Sequence, residues 1–181
     1  KDSVYRKTIE DVLAWHKQHP NDWQAVWKLI EAKYQDDIDC VRGEGFNINA
    51  NLNGAYIVMG LLYGGGDMLK TAEFAVRCGQ DADCNPSNAC GVLGCMKGFS
   101  HLGPEVTSGI PAMAEIPFDH TDYSFNRLIA TCEKVIDAVI QRTGGKVAGD
   151  HLTIKVQRPK APKTLEQWTN KREVLTANDK K

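Results

Sequence analysis

Apolar residues recur at helical spacing along most of the chain, interrupted by short polar, glycine-rich or proline-containing segments. Ser3 is suited to cap a first helix that runs to about Lys17, and His19-Pro20 ends it. Asn21 is the expected cap of a second helix, and the two helices are expected to form an antiparallel hairpin. Three tryptophans are expected to pack within this hairpin: Trp15, Trp23 and Trp27.

The middle of the chain predicts a fully buried helix between two loops. Residues 35 to 50 are polar and glycine-rich and are predicted to be a loop. The segment from Leu52 to Tyr63 is apolar on all sides, which is typical of a buried helix, and the glycines at 64 to 66 predict its end. Asp67 is then the expected cap of a further helix that reaches about Cys78.

A polar turn at residues 79 to 87 precedes a helix that is rich in small residues. Glycine inside a helix costs about 1 kcal/mol against alanine. Gly91, Gly94 and Gly98 therefore predict that another backbone approaches this helix closely.

The last third of the chain predicts one long amphipathic helix and a short strand. A loop at residues 101 to 117 comes first, Thr121 or Asp122 is expected to start the helix, and Gly144-Gly145 ends it. One stripe of this helix is apolar: Phe125, Leu128, Ile129, Cys132, Val135, Ile136, Val139 and Ile140.

Residues 151 to 156 alternate like a short strand, and residues 157 to 181 are charged and contain prolines. The pattern therefore predicts an all-α domain over residues 1 to 156, with a short C-terminal strand. The remainder, 157 to 181, is expected to be a surface tail that is partly disordered at its end.

Composition excludes some classes of partner. The 22 Lys and Arg residues are balanced by 23 Asp and Glu residues, so no strong field attracts nucleic acid or an anionic membrane. The longest apolar run, Ala55 to Tyr63, is far shorter than the about 20 residues that span a bilayer. Six cysteines without a C-x-x-C pair predict buried free thiols, which favours a reducing, cytoplasmic location, although an exported form stays open.

The turn at Asp81 and Asp83 is the candidate for chemistry. Two carboxylates separated by one residue are what a hard divalent cation needs, although a solvated helix-capping turn has the same pattern. A calcium loop of the EF-hand type does not fit, because Pro86 and Val92 occupy the positions that need glycine and a bidentate glutamate. Further oxygen donors follow the pair: Asn85, Ser87 and Asn88.

The stretch from Phe74 to Gly98 resembles the C-terminal metal motif of the ADP-ribosylglycohydrolase family. In that family a helix ends in a Gly-x-Asp-x-Asp turn and a helix of small residues follows. Five residues match this motif in order: Gly79, Asp81, Asp83, Cys84 and Asn85. The resemblance extends over residues 20 to 156 through further segments: Gly43-x-Gly45, Asn53-Gly54-Ala55, Gly64 to Asp67, Ile116 to Phe118 and Thr121 to Ser124.

This resemblance implies a multi-helix orthogonal bundle and a hydrolase that removes ADP-ribose from a modified protein or small molecule. It implies two Mg²⁺ ions, or Mn²⁺, that hold the ribose hydroxyl groups and position the attacking water. Asp81 and Asp83 are the implied ligands, with Asp83 between the two ions. Cys84 is the third implied ligand, but it stands where the family commonly has a hydroxyl residue. A thiol binds magnesium poorly, so either the Cys84 carbonyl makes the contact or one site is weaker.

Substrate contacts are expected from the loop at Gly43, Gly45 and Phe46, and from Asn85. Glycines permit close backbone contact with phosphates, and an aromatic ring can stack on adenine. A plain turn is the alternative for this loop.

Family members also resemble one another in an N-terminal Thr-Asp-Asp cluster, and no segment before residue 79 matches it. Asp36, Asp37 and Asp39 are acidic but are interpreted as a solvated loop. We therefore expect this chain to supply the C-terminal half of the metal site, with a missing N-terminal portion of the same protein as its partner. The alternative is a catalytically inactive module of the same fold that binds ADP-ribose or metal.

Overall fold

The computed structural model describes residues 3–35, 46–158 and 160. These residues form helices and one C-terminal two-stranded hairpin, which confirms the all-α class. The chain divides into two compact units, Lys1–Met113 and Ala114–Lys181. The expected division at residue 156 stays a prediction, because most of the predicted tail lies outside the described residues.

The first unit contains five longer helices. They are α1 (Val4–Gln18), α2 (Trp23–Tyr34), α3 (Ala50–Gly64), α4 (Met68–Arg77) and α5 (Cys84–Lys97). The segment after α5 was predicted to be a loop, and this is wrong in part. It contains a 3-10 turn and two short helices: Phe99–His101, α6 (Pro104–Thr107) and α7 (Ile110–Met113).

The N-terminal hairpin of α1 and α2 forms largely as the sequence predicts. The Ser3 hydroxyl accepts a hydrogen bond from the Arg6 N–H at 3.3 Å, which confirms Ser3 as the cap of α1. The predicted cap of α2 is wrong by one residue, because Asp22 accepts the Ala25 N–H at 3.0 Å and Asn21 lies outside the helix. A cap needs a side chain three residues before the N–H that it accepts, and Asp22 occupies that position.

Helix α3 is the centre of the first unit, since it contacts α1, α2, α4 and α5. Tyr56 and Met59 of α3 are fully buried, which confirms the prediction of an inner helix. Gly65, with φ of 58°, ends α3 in the left-handed conformation that glycine favours. The core around α3 consists of Val12, Val26, Ile30, Tyr34, Leu52, Ala55, Tyr56, Met59 and Cys78, with Trp15, Trp23 and Trp27 packed against it.

The glycines of α3 lie close against a neighbouring helix, whereas the glycines inside α5 do not. A Cβ atom built on Gly60 would lie 2.9 Å from the Ala75 Cβ, and one built on Gly64 would lie 2.7 Å from the Thr71 Cα. In contrast, a Cβ on Gly91 would meet nothing within 4 Å, and one on Gly94 would meet only the Met68 Cε at 3.9 Å. The predicted close approach to the α5 glycines is therefore wrong, and α3 and α4 are the pair that glycine brings together.

The second unit contains α8 (Phe125–Arg142) and the antiparallel strands β1 (Lys146–Ala148) and β2 (His151–Thr153). Ser124 caps α8 by accepting the Arg127 N–H, so the predicted start at Thr121 or Asp122 is wrong. The single strand predicted from the sequence corresponds to β2, and it pairs with β1, which precedes it in the chain.

Two further expectations can be compared with the described residues. Among them no helix is long and apolar enough to cross a bilayer. The five cysteines among them are free, as predicted, but burial was wrongly expected for three of these: Cys84, Cys95 and Cys132 are exposed.

Candidate metal centre

The acidic turn connects the end of α4 to the start of α5. Gly79 leaves α4 with φ of 81°, and the next residue, Gln80, also has a positive φ, 58°. Glycine adopts this conformation without strain, whereas a residue with a Cβ pays about 1–2 kcal/mol. These two positive-φ residues lie between the end of α4 and Asp81, and Asp83 is the N-cap of α5.

Contacts from another segment hold the strained residue. The Gln80 Oε1 accepts the backbone N–H of Asn47 at 2.6 Å. Asn47 is 4% exposed, and its own amide donates to the Gln35 carbonyl at 2.9 Å. Strained backbone persists only where surrounding contacts fix it, and such positions cluster at functional sites.

The three residues predicted as metal ligands are brought together. One carboxylate oxygen each from Asp81 and Asp83 and the Cys84 Sγ all lie within 4.8 Å of one another. Asp81 is half-buried, while Asp83 and Cys84 are exposed. The two carboxylates therefore converge, with Asp83 exposed, and this is the one such cluster among the described residues.

Hydrogen bonds within this cluster shift the pKa values of Asp83 and Cys84 in opposite directions. A hydrogen bond with the Asp81 carboxyl, together with the backbone N–H of Cys84, lowers the pKa of Asp83. Asp83 is also the N-cap of α5, where the helix dipole favours a negative charge. A hydrogen bond to Asp81 and the nearby negative charges raise the pKa of the Cys84 thiol. The turn therefore favours the ionised form of the Asp83 carboxyl and the protonated form of the Cys84 thiol.

This donor set fits a hard divalent cation. Mg²⁺ and Mn²⁺ prefer carboxylate oxygens, whereas a soft metal prefers thiolates, of which this cluster has only Cys84 to offer. The Cys84 carbonyl, the alternative contact considered from the sequence, accepts the Asn88 side-chain amide at 2.8 Å. Asp81 and Asp83 are thus the two residues best placed to hold such an ion.

A buried amide network lies directly beneath the turn. The Asn53 Oδ1 accepts both the Asp81 N–H at 3.1 Å and the Asn85 side-chain amide at 2.8 Å. The Asn53 Nδ2 donates to the Asn47 carbonyl at 2.6 Å and to the Asn49 carbonyl at 3.1 Å. This network joins α3, the segment before it and the first turn of α5 at the acidic turn.

The predicted substrate-binding residues lie in different settings. Asn85 is 1% exposed, and its amide is engaged by Asn53. Phe46 is 44% exposed and directly precedes Asn47, whose backbone contacts the turn. Gly43 and Gly45 lie outside the described residues, as do the acidic residues Asp36, Asp37 and Asp39.

Sequence reasoning missed Asn53, Asn47 and Gln80 as parts of the site. A signal was available for Asn53, since it is a polar residue within the segment from Leu52 to Tyr63, which is otherwise apolar on all sides. Such a residue needs a buried hydrogen-bond partner. Nothing in the sequence marks Asn47 or Gln80, because their roles depend on contacts between distant segments.

Comparison with known proteins identifies the family of this chain. A model of the ADP-ribosylglycohydrolase family matches residues 2–141. No curated protein matches the chain, and no solved structure does. That family is metal-dependent and includes hydrolases, and its fold is helical, as this one is. Because the family model covers well over half of the sequence, the chain belongs to the ADP-ribosylglycohydrolase family.

Proposed function

We propose that this chain takes part in metal-dependent hydrolysis that releases ADP-ribose from a modified protein or small molecule. The observation that carries the proposal is the convergence of the Asp81 and Asp83 carboxylates with Cys84 in one turn, within 4.8 Å. Membership of a hydrolase family supports the reaction class. The specific ions proposed are Mg²⁺ or Mn²⁺, because the donors are hard oxygens.

Each residue of the proposed site has a role that follows from its position. Asp81 and Asp83 bind the ions, and when bound the ions supply the positive charge that orients ribose hydroxyl groups and a nucleophilic water. The exposed ring of Phe46 is available to stack on the adenine of ADP-ribose. Asn85 supports the turn, because its side-chain amide donates to the Asn53 Oδ1. The turn supplies part of a coordination sphere, which water or further protein oxygens complete.

The test compares two aspartates that both cap helices. Asp83 caps α5 and Asp67 caps α4, where its Oδ1 accepts the Lys70 N–H at 2.9 Å. Asparagine caps a helix as well as aspartate does, so each Asp→Asn change removes one charge and keeps the cap. In the complete protein, with its N-terminal portion present, Asp83→Asn is expected to weaken Mn²⁺ binding and to abolish metal-dependent release of ADP-ribose, while Asp67→Asn leaves both unchanged.

Mn²⁺ binding is measured from the electron paramagnetic resonance signal of the free ion, and release by chromatography of ADP-ribose. Equal Mn²⁺ affinity for Asp83→Asn and the unmodified chain would rule out the assigned metal role. A chain that binds Mn²⁺ through Asp83 but releases no ADP-ribose from any modified substrate would instead support the alternative function, an inactive binding module.

A further inference from the structure

We infer that Asn53 is the positioning residue of the metal turn: through one side-chain oxygen it fixes Asp81 relative to α3, and so sets where the Asp81 carboxylate lies with respect to Asp83. This inference rests on the proposed metal-binding role of the two aspartates. It assigns a function to a residue that would otherwise count only as part of the core.

Asn53 lies in the first turn of α3 and is 5% exposed. Its Oδ1 accepts two hydrogen bonds, from the Asp81 N–H at 3.1 Å and from the Asn85 Nδ2 at 2.8 Å. A single oxygen atom therefore connects the first ligand residue of the turn and the first turn of α5. Both connected groups come from residues far away in sequence, 28 and 32 positions later.

The other end of the Asn53 amide fixes its orientation. The Nδ2 donates to the carbonyl oxygens of Asn47 and Asn49. A reversed amide would place the nitrogen against two donors and the oxygen against two acceptors, so this network permits one orientation only. All hydrogen-bonding capacity of the side chain is used, and a shorter or apolar residue cannot reproduce these four contacts.

Apart from Asn53, the Gln80 Oε1 ties the turn to the segment before α3 by accepting the Asn47 N–H, but this contact is made by the residue before Asp81 and not by Asp81 itself. The Asp81 carbonyl accepts the Asn85 N–H at 2.9 Å, a bond within the turn that does not tie it to another element. The residue before Asp81 is held in the left-handed region. Removing the Asn53 oxygen would leave the Asp81 N–H and the buried Asn85 amide without this partner, and the turn would relax away from α3. Residues that orient metal ligands typically change metal affinity by about 10–100-fold when they are replaced.

Three variants separate positioning from stability. Asn53→Ala removes all four contacts, whereas Asn53→Asp keeps the oxygen that accepts from Asp81 and Asn85. Its buried carboxyl group stays protonated against the Asn47 and Asn49 carbonyls and donates one hydrogen bond in place of two. Val12→Ala is the control, because Val12 is fully buried in α1 and belongs to the hydrophobic core. All three are expected to lower the melting temperature.

Mn²⁺ affinity of the whole chain, from the resonance signal of the free ion well below every melting temperature, is the deciding measurement. We expect Asn53→Ala to weaken binding at least about tenfold, while Asn53→Asp and Val12→Ala bind as the unmodified chain does. If Asn53→Ala does not fold, Asn53→Ser is measured instead. The serine hydroxyl can donate to one of the two carbonyl groups, but the side chain is too short to accept from both the Asp81 N–H and the Asn85 amide. The same loss is expected for Asn53→Ser.

Two results would overturn the inference and leave the proposed metal site intact. One is an undiminished Mn²⁺ affinity in Asn53→Ala or in Asn53→Ser. The other is a loss of Mn²⁺ affinity in all variants, Val12→Ala included, in proportion to the fall in melting temperature. Failure of the unmodified chain to bind Mn²⁺ has a different meaning. It removes the proposed metal site, and the positioning role falls with it.

Discussion

Replacement of glycine by alanine is expected to change stability in opposite directions in α3 and α5. Inside a helix with no neighbours, alanine is more stable than glycine by about 1 kcal/mol. A new methyl group reverses that sign only where another part of the protein already occupies its place. Gly64 and Gly91 offer this contrast within one unit of the chain.

The magnitude follows from what each Cβ would meet. At Gly64 it would lie 2.7 Å from the Thr71 Cα and 2.8 Å from the Thr71 N, which are backbone atoms of α4. Carbon atoms pack at about 3.5–4.0 Å, so α4 must shift by about 1 Å. Overpacking costs about 1–3 kcal/mol, and a backbone clash belongs at the upper end, which leaves Gly64→Ala destabilised by about 2 kcal/mol. At Gly91 nothing lies within 4 Å, so alanine is expected to stabilise by up to about 1 kcal/mol.

Urea denaturation followed by circular dichroism gives the free energy of unfolding of each variant. Gly54→Ala is the control for a clash that can relax, since the three atoms nearest to its Cβ all belong to the half-exposed Tyr5 side chain, the nearest at 2.5 Å. That ring can rotate away, so a near-neutral effect is expected. The packing argument fails if Gly64→Ala is as stable as the unmodified chain, or if Gly91→Ala loses as much stability as Gly64→Ala.

Burial and the Glu31 charge raise the pKa of the Cys78 thiol to about 12. In the folded chain at pH 8, iodoacetamide is therefore expected to label the exposed Cys95 and Cys132 but not the buried Cys78. Peptide mass mapping checks this, and native labelling of Cys78 at a rate equal to Cys95 would contradict it. Burial raises the pKa of Asp11, but the hydrogen bonds from Lys33 and Tyr34 together lower it by more than burial raises it. The net shift of the pKa is therefore downward. A depressed pKa adds stability above the unfolded value, about 3.9, that is lost as the pH falls through the folded pKa. In Asp11→Asn, the free energy of unfolding should therefore fall less steeply as the pH is lowered than it does in the unmodified chain. An unchanged pH dependence at acidic pH would refute this.

Local patterns were sufficient for most of the helices. Ser3 and Asp67 are caps because a side chain three residues before an N–H can accept from it, and this relation is visible in the sequence. The same rule allowed an error of one residue at Asn21 and Asp22, since both residue types cap helices. At α8, Thr121, Asp122 and Ser124 were all suitable caps, and only the path of the preceding backbone selected Ser124.

The sequence by itself determined the helical fold, the buried character of α3 and the pairing of Asp81 with Asp83 in a turn between two helices. These features depend on residues close together in the chain, where periodicity and turn chemistry act directly. Only the tertiary structure decided which glycines pack closely, and that Asn53 supports Asp81 from 28 positions away. Contacts of that kind arise when separate helices meet, and a hydrogen bond or a steric clash between distant residues leaves no period in the sequence.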